Sequence, residues 1–327
     1  MRALLLLLSA LALPGCGALS YYAQSIGGHL ALTSRARAVD EVLADANAPA
    51  VLKERLRTAA AIREFASREL KLPDNGSYRS YAALDRPYAV WNVVAAPEFS
   101  LQPVQSCFPI VGCVGYRGYY AKQGAEKYAA SLRAAGNDVV VYGVPAYSTL
   151  GWFDDPLLST FIGLPDAELA RLVFHELAHQ VVYVKGDSTF NESFAVAVER
   201  EGLRRWLAAN ARTAELAPGR AQFALLVAST RAKLEALYRT RLAPEAMRAS
   251  KRTELERLRP WLARLPGFEG QEPNNALLAS YATYTDLVPM FERVLAESNG
   301  DLPVFYARVK QLASERSSPD PSSARSR

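Results

Sequence analysis

Two histidines and a glutamate form the clearest chemical pattern in this chain of 327 residues. Of its three histidines, His175 and His179 stand four residues apart in the segment His-Glu-Leu-Ala-His. Residues four apart on an α-helix lie on one face, so both imidazoles can bind the same cation. Glu176 follows the first histidine, where its carboxylate can act as a general base without binding the metal. The pattern predicts a zinc site with Glu176 as catalytic base.

The third protein ligand of this zinc site must come from another part of the chain, because a catalytic zinc ion takes three protein ligands. Glu192 is the predicted ligand, since it begins a second apolar stretch thirteen residues after His179. The polar segment 185–188 predicts a turn that returns Glu192 toward the histidines. Glu199 is the alternative, because it lies about two helical turns further on the same face. If Glu192 binds the metal, we expect Glu199 to orient a histidine.

Two short segments resemble motifs of the gluzincin metallopeptidases. They are His-Glu-Leu-Ala-His-Gln at 175–180 and Phe-Asn-Glu-Ser-Phe-Ala at 190–195. They are most similar to the aminopeptidase N-like branch, in which the glutamate of an Asn-Glu-x-Phe-Ala segment binds zinc. The step between the segments is shorter here than is typical of gluzincins. This short step, Asn-Asn-Ala at 274–276 and the N-terminal leader are together similar to features of a family of bacterial lipoproteins described as putative aminopeptidases. The resemblance to that family covers most of the chain.

The resemblance implies a zincin fold of the α+β class, with a small mixed sheet and a predominantly helical remainder. It implies a zinc-dependent aminopeptidase acting on peptides. It also implies a tyrosine that stabilises the oxyanion of the reaction, for which Tyr284 is predicted and Tyr281 is the alternative. Tyr119 and Tyr120 are weaker candidates. An exopeptidase further needs an acidic group for the substrate's α-amino group, and four residues are open for that role: Asp154, Asp155, Glu199 and Glu201.

Two other functions remain open at the level of sequence. One is a metalloendopeptidase that acts on envelope proteins, and the other is a non-catalytic lipoprotein scaffold with a zincin fold. An enzyme is favoured because the complete set of motif residues is present, whereas an enzyme that has lost its activity usually lacks at least one. That set is His175, Glu176, His179 and Glu192.

The N-terminus has the features of a lipoprotein leader. Arg2 supplies a positive charge, and Ala3–Leu13 is an apolar run too short to cross a bilayer comfortably. Leu-Pro-Gly-Cys, ending at Cys16, resembles a lipobox, in which the cysteine is lipidated and becomes the mature N-terminus. Gly17 then favours the outer membrane, with the protein facing the periplasm. An ordinary secretory signal with an incidental cysteine is the alternative interpretation.

These features predict three segments in the chain: a signal peptide at 1–15, a metallopeptidase domain at 16–315 and a disordered tail at 316–327. The tail is rich in Ser, Pro and Arg. Lys and Arg are otherwise scattered among Asp and Glu at a net charge of +5, a pattern that excludes a nucleic-acid partner. In an oxidising periplasm Cys107 and Cys113 are expected to form a disulfide, and two buried free thiols are the alternative.

One predicted strand bears directly on the site. The segment 138–145 is rich in valine, and because Pro145 cannot donate to a ladder, this strand is expected at a sheet edge. The sheet is expected to pack on the metal-binding helices, the first of which begins near Asp166. An aromatic loop at 146–156 joins the two and should lie beside the active-site cleft. An exposed edge there could bind an extended peptide by strand addition.

Overall fold

The computed structural model describes residues 15–108, 111–146, 148–211, 220–264, 267–268 and 270–317. The predicted signal peptide up to residue 14 and the predicted tail from residue 318 lie outside the described residues. Arg316 and Ser317, which were expected to belong to the tail, are the end of the last helix. In the part of the chain that the structure describes, no helix has the length and apolar character needed to cross a membrane.

The N-terminal part of the chain forms three helices and two short strands. They are α1 (Gly15–Thr33), β1 (Arg37–Ala38), α2 (Val39–Ala44), α3 (Ala50–Arg68) and β2 (Ser80–Ala82). Pro49 stands at the N-cap of α3. The proline ring fixes the backbone torsion there and removes an amide that a helix start leaves unpaired. Leu56 and Ile62 of α3 are fully buried in the main core.

The central sheet has three antiparallel strands in the order β6–β3–β7. They are β3 (Val90–Pro97), β6 (Arg117–Tyr119) and β7 (Asn137–Val144). The two long strands pair over their whole length, from Val90 opposite Val144 to Pro97 opposite Asn137. Their many valines suit a pleated, buried surface. The predicted strand at 138–145 is therefore confirmed, as is its place at the edge of the sheet.

A second sheet joins distant parts of the chain in the order β1–β2–β8, where β8 is Leu157–Leu158. Its β1–β2 pair is antiparallel and its β2–β8 pair is parallel. The structure is thus of the predicted α+β class with small sheets. The mixed sheet is this short one, whereas the central sheet is purely antiparallel.

A two-stranded hairpin carries the predicted disulfide. Its strands are β4 (Ser106–Phe108) and β5 (Gly112–Val114). Cys107 and Cys113 are opposite each other in this ladder, and a disulfide joins them. The expected pairing is therefore confirmed in the structure.

The central sheet packs mainly between two helices that bear no metal-motif residues. On one face lies α4 (Lys122–Ala134), whose Ala125 and Ala129 are buried against the strands. On the other lies α10 (Asn275–Thr283), which contributes Ala276. Alanines at these positions let the helix backbones approach the sheet closely. The expectation that the sheet packs directly on the metal-binding helices is corrected here, because α10 stands between the sheet and the second of them.

The outer edge of β7 is covered by residues 267–268 and 270–274. Three hydrogen bonds hold them: Gly143 N to Gly267 O at 3.1 Å, Val141 N to Gln271 Oε1 at 3.3 Å and Asn274 Nδ2 to Val139 O at 3.0 Å. These bonds use backbone groups that an added strand would need. The expectation of an exposed edge open to an extended peptide is therefore wrong for this part of β7.

The remaining helices divide into two groups. The helices α5 (Asp166–Ala178) and α6 (Ser188–Ala209) pack together in the largest core, with α11 (Val288–Glu297) and α12 (Leu302–Ser317) behind them. A smaller core is built by α7 (Arg220–Tyr238), α8 (Pro244–Glu256) and α9 (Arg259–Leu262). Phe194 of α6 contacts Phe291 and Phe305, with ring centroids 5.6 Å and 5.9 Å away. These aromatic contacts fix α6 against α11 and α12.

Candidate metal centre

The first helix of the site, α5, is embedded through an apolar face. Leu169, Val173 and Leu177 recur at helical spacing and are fully buried. The helix begins at Asp166, as expected, but Asp166 is not the cap. Pro165 occupies the N-cap, and the Asp166 carboxylate instead accepts a hydrogen bond from Arg55 at 2.5 Å. Glu176 lies off this apolar face and is half-buried.

The second helix, α6, is set by the asparagine that precedes Glu192. Asn191 is buried, and its amide group donates to Val184 O and accepts from Val184 N, both at 2.8 Å. The side chain of Asp187 caps the helix by accepting from Phe190 N at 2.9 Å. Together they fix the turn between α5 and α6. The predicted chain reversal at 185–188 is present, and Glu192 faces the histidines.

Three side-chain atoms converge at the site. His175 Nε2 lies 3.2 Å from His179 Nε2 and 3.1 Å from Glu192 Oε2, and His179 Nε2 lies 3.5 Å from that same oxygen. Within the described ranges these three residues form the group whose geometry suits a metal ion. Ligands of a tetrahedral zinc ion, at the usual bond lengths of 2.0–2.1 Å, are separated by about 3.4 Å. The donor set and its spacing therefore fit zinc.

Glu199 holds one of the imidazoles from outside this group. Its Oε2 lies 3.0 Å from His175 Nδ1, and its other oxygen accepts from Arg171, which also bonds to Glu168 at 2.9 Å. An ionised carboxylate can only accept, so Nδ1 must carry the proton and Nε2 is left to bind a metal. This is the arrangement expected if Glu192 is the ligand. Arg171 was not anticipated from the sequence, since only the fold brings it to Glu199.

The electrostatics of the cluster also favour a cation. Burial raises the pKa of Glu192, but the two histidines outweigh this effect and hold it well below its usual range. Burial lowers the pKa of His175, yet its hydrogen bonds to Glu192 and Glu199 raise it well above the usual value. The carboxylates of Glu192 and Glu199 thus stabilise a positive charge between them. A metal ion bound to neutral imidazoles would supply that charge.

Tyr284 is the predicted tyrosine that reaches the site. Its ring centroid is 6.2 Å from that of His175, and the charge of Glu192, followed by burial and by Glu176 among further groups, raises its pKa well above the usual value. Tyr281, the alternative, instead packs against Phe223 at 5.3 Å in the smaller core. The phenol of Tyr284 therefore stays protonated at neutral pH and can donate a hydrogen bond.

The weaker tyrosine candidates pack in two different places, Tyr119 between the central sheet and α4 and Tyr120 against the largest core. Tyr119 contacts Tyr21 and Tyr128, and Tyr120 lies beside Arg86. Three tyrosines that the sequence did not single out lie near Glu192 instead, since its charge contributes to raising their pKa values: Tyr116, Tyr142 and Tyr183. Their sequence positions carry no common signal, because separate strands and loops bring them together.

The four acidic candidates for amine binding differ sharply in their surroundings. Glu199 is already bonded to His175 and Arg171. Glu201 pairs with Arg204 and Arg205, and Asp154 is exposed in the loop.

Asp155 is the acidic candidate with an unused oxygen. It is buried, and its Oδ2 accepts from Thr149 N at 2.8 Å and from Thr149 Oγ1 at 3.1 Å. Its Oδ1 is buried without a hydrogen-bond partner among the described residues. Burial, with a contribution from the charge of Glu176, raises its pKa to about 7. The predicted aromatic loop thus brings one carboxyl group close enough to Glu176 for its charge to act on it.

A family model described as "Putative aminopeptidase" matches residues 20–321 of the chain. No curated protein and no solved structure matches it. The matched region contains the whole cluster described above, from Asp155 to Tyr284.

Proposed function

Since this chain belongs to the family described as "Putative aminopeptidase", we propose that it is a zinc-dependent peptidase of gluzincin type with a zincin fold. The observation that carries the proposal is the convergence of His175 Nε2, His179 Nε2 and Glu192 Oε2 at separations of 3.1–3.5 Å. These are the separations expected around one tetrahedral zinc ion. Glu176, which follows the first ligand, supplies the acid–base group such a reaction needs.

Each side chain of the site has one task in this mechanism. When bound, zinc would lower the pKa of a water molecule and polarise the carbonyl of the scissile peptide bond. Glu176 accepts the proton of the attacking water and donates it to the leaving amine. Burial, the largest effect, raises the pKa of Glu176 and so strengthens it as a base. Tyr284 donates a hydrogen bond to the developing oxyanion.

We assign cleavage to the N-terminal end of peptides, with Asp155 binding the α-amino group. The free Oδ1 of Asp155 would accept from the ammonium group, and this pairing would lower the pKa of the carboxyl again. The amine then sits beside Glu176, which acts on the first peptide bond. Cleavage within longer envelope proteins is the alternative, and it needs no such amine site.

The test compares two matched peptides, one with a free N-terminus and one with an acetylated N-terminus. An aminopeptidase hydrolyses the free peptide in the presence of zinc, and a chelator abolishes the activity. Asp155→Asn should raise KM for the free peptide about tenfold or more, since a charged hydrogen bond is lost. Equal hydrolysis of both peptides would favour the endopeptidase. Protein that holds no stoichiometric zinc and hydrolyses neither peptide would favour the scaffold.

Glu176→Gln separates catalysis from metal binding. The amide cannot act as a base, so hydrolysis should fall by a factor of about 10²–10⁴. Zinc content, measured by atomic absorption, should be unchanged because Glu176 is not a ligand. A Glu176→Gln protein as active as the parent would contradict the assignment.

We further propose that the protein is anchored by lipid at Cys16 in the outer membrane and faces the periplasm. The lipobox-like segment and Gly17 support this location. The disulfide between Cys107 and Cys113 supports an oxidising compartment. Mass spectrometry of the purified protein should find a diacylglyceryl group on Cys16, and a free N-terminus there would favour simple secretion.

A further inference from the structure

Helix α1 exposes a surface that carries no charge. The whole helix, Gly15–Thr33, contains no Asp, Glu, Lys or Arg. Its exposed positions from residue 21 onward are all apolar or small: Tyr22, Ala23, Ile26, Gly27, Leu30 and Ala31. Ile26 and Leu30 are 61% and 59% exposed. A helix on a water-facing surface normally carries charged and polar residues on its outer side.

The opposite side of α1 is bound to the body of the protein. Gln24 donates to Gly118 O at 3.4 Å and accepts from Tyr120 N at 3.2 Å. Tyr21 stacks on Phe108 with centroids 5.2 Å apart, and Leu32 is buried. The polar contacts of α1 thus face inward, and the side chains that stay exposed from residue 21 onward are apolar or small.

A second apolar element stands beside this surface. Trp152 and Phe153, at the tip of the loop between β7 and β8, are 71% and 57% exposed. The ring of Phe153 lies 4.7 Å from that of His29 on α1. Leu150 and Gly151 both have positive φ, at 58° and 80°, and form the turn that holds this tip outward. We call Tyr22, Ile26, Leu30, Trp152 and Phe153 the apolar face.

We propose that the apolar face binds the surface of a phospholipid bilayer, with α1 lying in the interfacial plane. Tryptophan and amphipathic helices are the elements that proteins use at this depth of a membrane. The helix is not apolar enough to span a bilayer. It contains Cys16, where the lipid anchor proposed above, on which this inference partly rests, would hold the start of the helix at a membrane.

The position of the apolar face has a consequence for the site. Gly151 lies against the side chain of Gln180, which directly follows His179. Asp155 is only two residues beyond Phe153 and shares its loop with the tip. Membrane contact therefore orients the loop next to α5 and holds it at the bilayer surface. The inference goes beyond peptide hydrolysis and does not depend on it.

The test uses tryptophan fluorescence of the full chain bound to phosphatidylethanolamine–phosphatidylglycerol vesicles. The other tryptophans, Trp91, Trp206 and Trp261, pack within the protein. Nitroxide-labelled phosphatidylcholine should quench the parent protein, and Trp152→Phe should lose most of that quenching. In the Trp152→Phe background, Ile26→Trp should restore it.

Matched controls come from two equally exposed apolar residues elsewhere. Val51 on α3 and Leu225 on α7 are each 72% exposed. Val51→Trp and Leu225→Trp, in the same background, should not be quenched by the labelled lipid. The proposal is overturned if the vesicle-bound parent shows no quenching that depends on Trp152. It is also overturned if Ile26→Cys and Trp152→Cys proteins form disulfide-linked dimers while lipid quenching is absent, since a second copy of the chain would then cover the apolar face.

Discussion

The ligand role and the orienting role of two glutamates on one helix face can be separated by substitution. Glu192 contributes the oxygen that meets both imidazole Nε2 atoms, whereas Glu199 contacts His175 only through Nδ1. Sequence spacing left either glutamate possible as ligand. In the structure α6 places the Glu192 carboxylate at His175 Nε2 and the Glu199 carboxylate at its Nδ1, which favours Glu192 as the proposed ligand.

The loss of zinc affinity should be larger for Glu192→Gln than for Glu199→Gln. Glu199→Gln keeps the three ligands but weakens the hold on His175, so affinity should fall by about 10–100-fold. Glu192→Gln removes a charged ligand and should weaken binding further. Competition with a chromogenic chelator measures both. Glu201→Gln, whose native carboxylate pairs with Arg204 and Arg205, is the control and should bind zinc like the parent. A larger loss from Glu199→Gln than from Glu192→Gln would reverse the assignment.

Removing one phenol oxygen tests the predicted oxyanion donor. Tyr284→Phe should lower kcat by about 10²–10³-fold with little change in KM, because the hydrogen bond is made mainly in the transition state. Tyr281→Phe, in the neighbouring core, should leave kcat within a few-fold of the parent. Steady-state kinetics on a free-N-terminus peptide measure both. A Tyr284→Phe enzyme with unchanged kcat would indicate that one of the tyrosines near Glu192 donates to the oxyanion instead.

At the scale of elements, the site depends on the turn between α5 and α6. Asn191 bridges both backbone polar groups of Val184, so it closes this turn with one side chain. The sequence indicated the two helices and the turn, since helical spacing and turn composition are local properties. The role of Asn191, the cover over β7 and the placement of α10 depend on contacts between distant segments. No local pattern in the sequence could reveal them.

Asn191→Ala should loosen this turn. Two buried backbone groups of Val184 lose their partner, at a penalty of roughly 1–3 kcal/mol each. The free energy of unfolding, measured by urea denaturation of metal-free protein, should fall by about 2–4 kcal/mol. Asn210→Ala, which removes a side-chain amide that donates to Trp206 O near the end of α6, should change it much less. Equal effects would argue against a special role for the turn.

For the whole molecule, the buried carboxyl of Asp155 links stability to pH. Burial raises its pKa from 3.8 to about 7, so the folded protein binds a proton that the unfolded chain releases near pH 4. This contribution to stability is complete below pH 4 and is lost as pH rises toward 7. The shift of about three pKa units corresponds to roughly 4 kcal/mol.

The free energy of unfolding of the parent should therefore fall between pH 4.5 and pH 7.5 relative to Asp155→Asn, which has no titrating group at that position. Both proteins are measured in urea, without metal, at the two pH values. Other titrating groups affect both proteins alike, so the difference isolates Asp155. Parallel pH profiles for the two proteins would show that the carboxyl is not buried as described.

The contact between the last helix and the N-cap of α6 can form only late in synthesis. Arg316 at the end of α12 bonds to Asp187 at 2.6 Å and lies over the ring of Phe190. Asp187 caps the helix that carries Glu192, a residue made 124 positions before Arg316. During synthesis His175, His179 and Glu192 are made long before the side chain that contacts this cap. The contact therefore forms only after the end of α12 has been made and α12 has folded against α6.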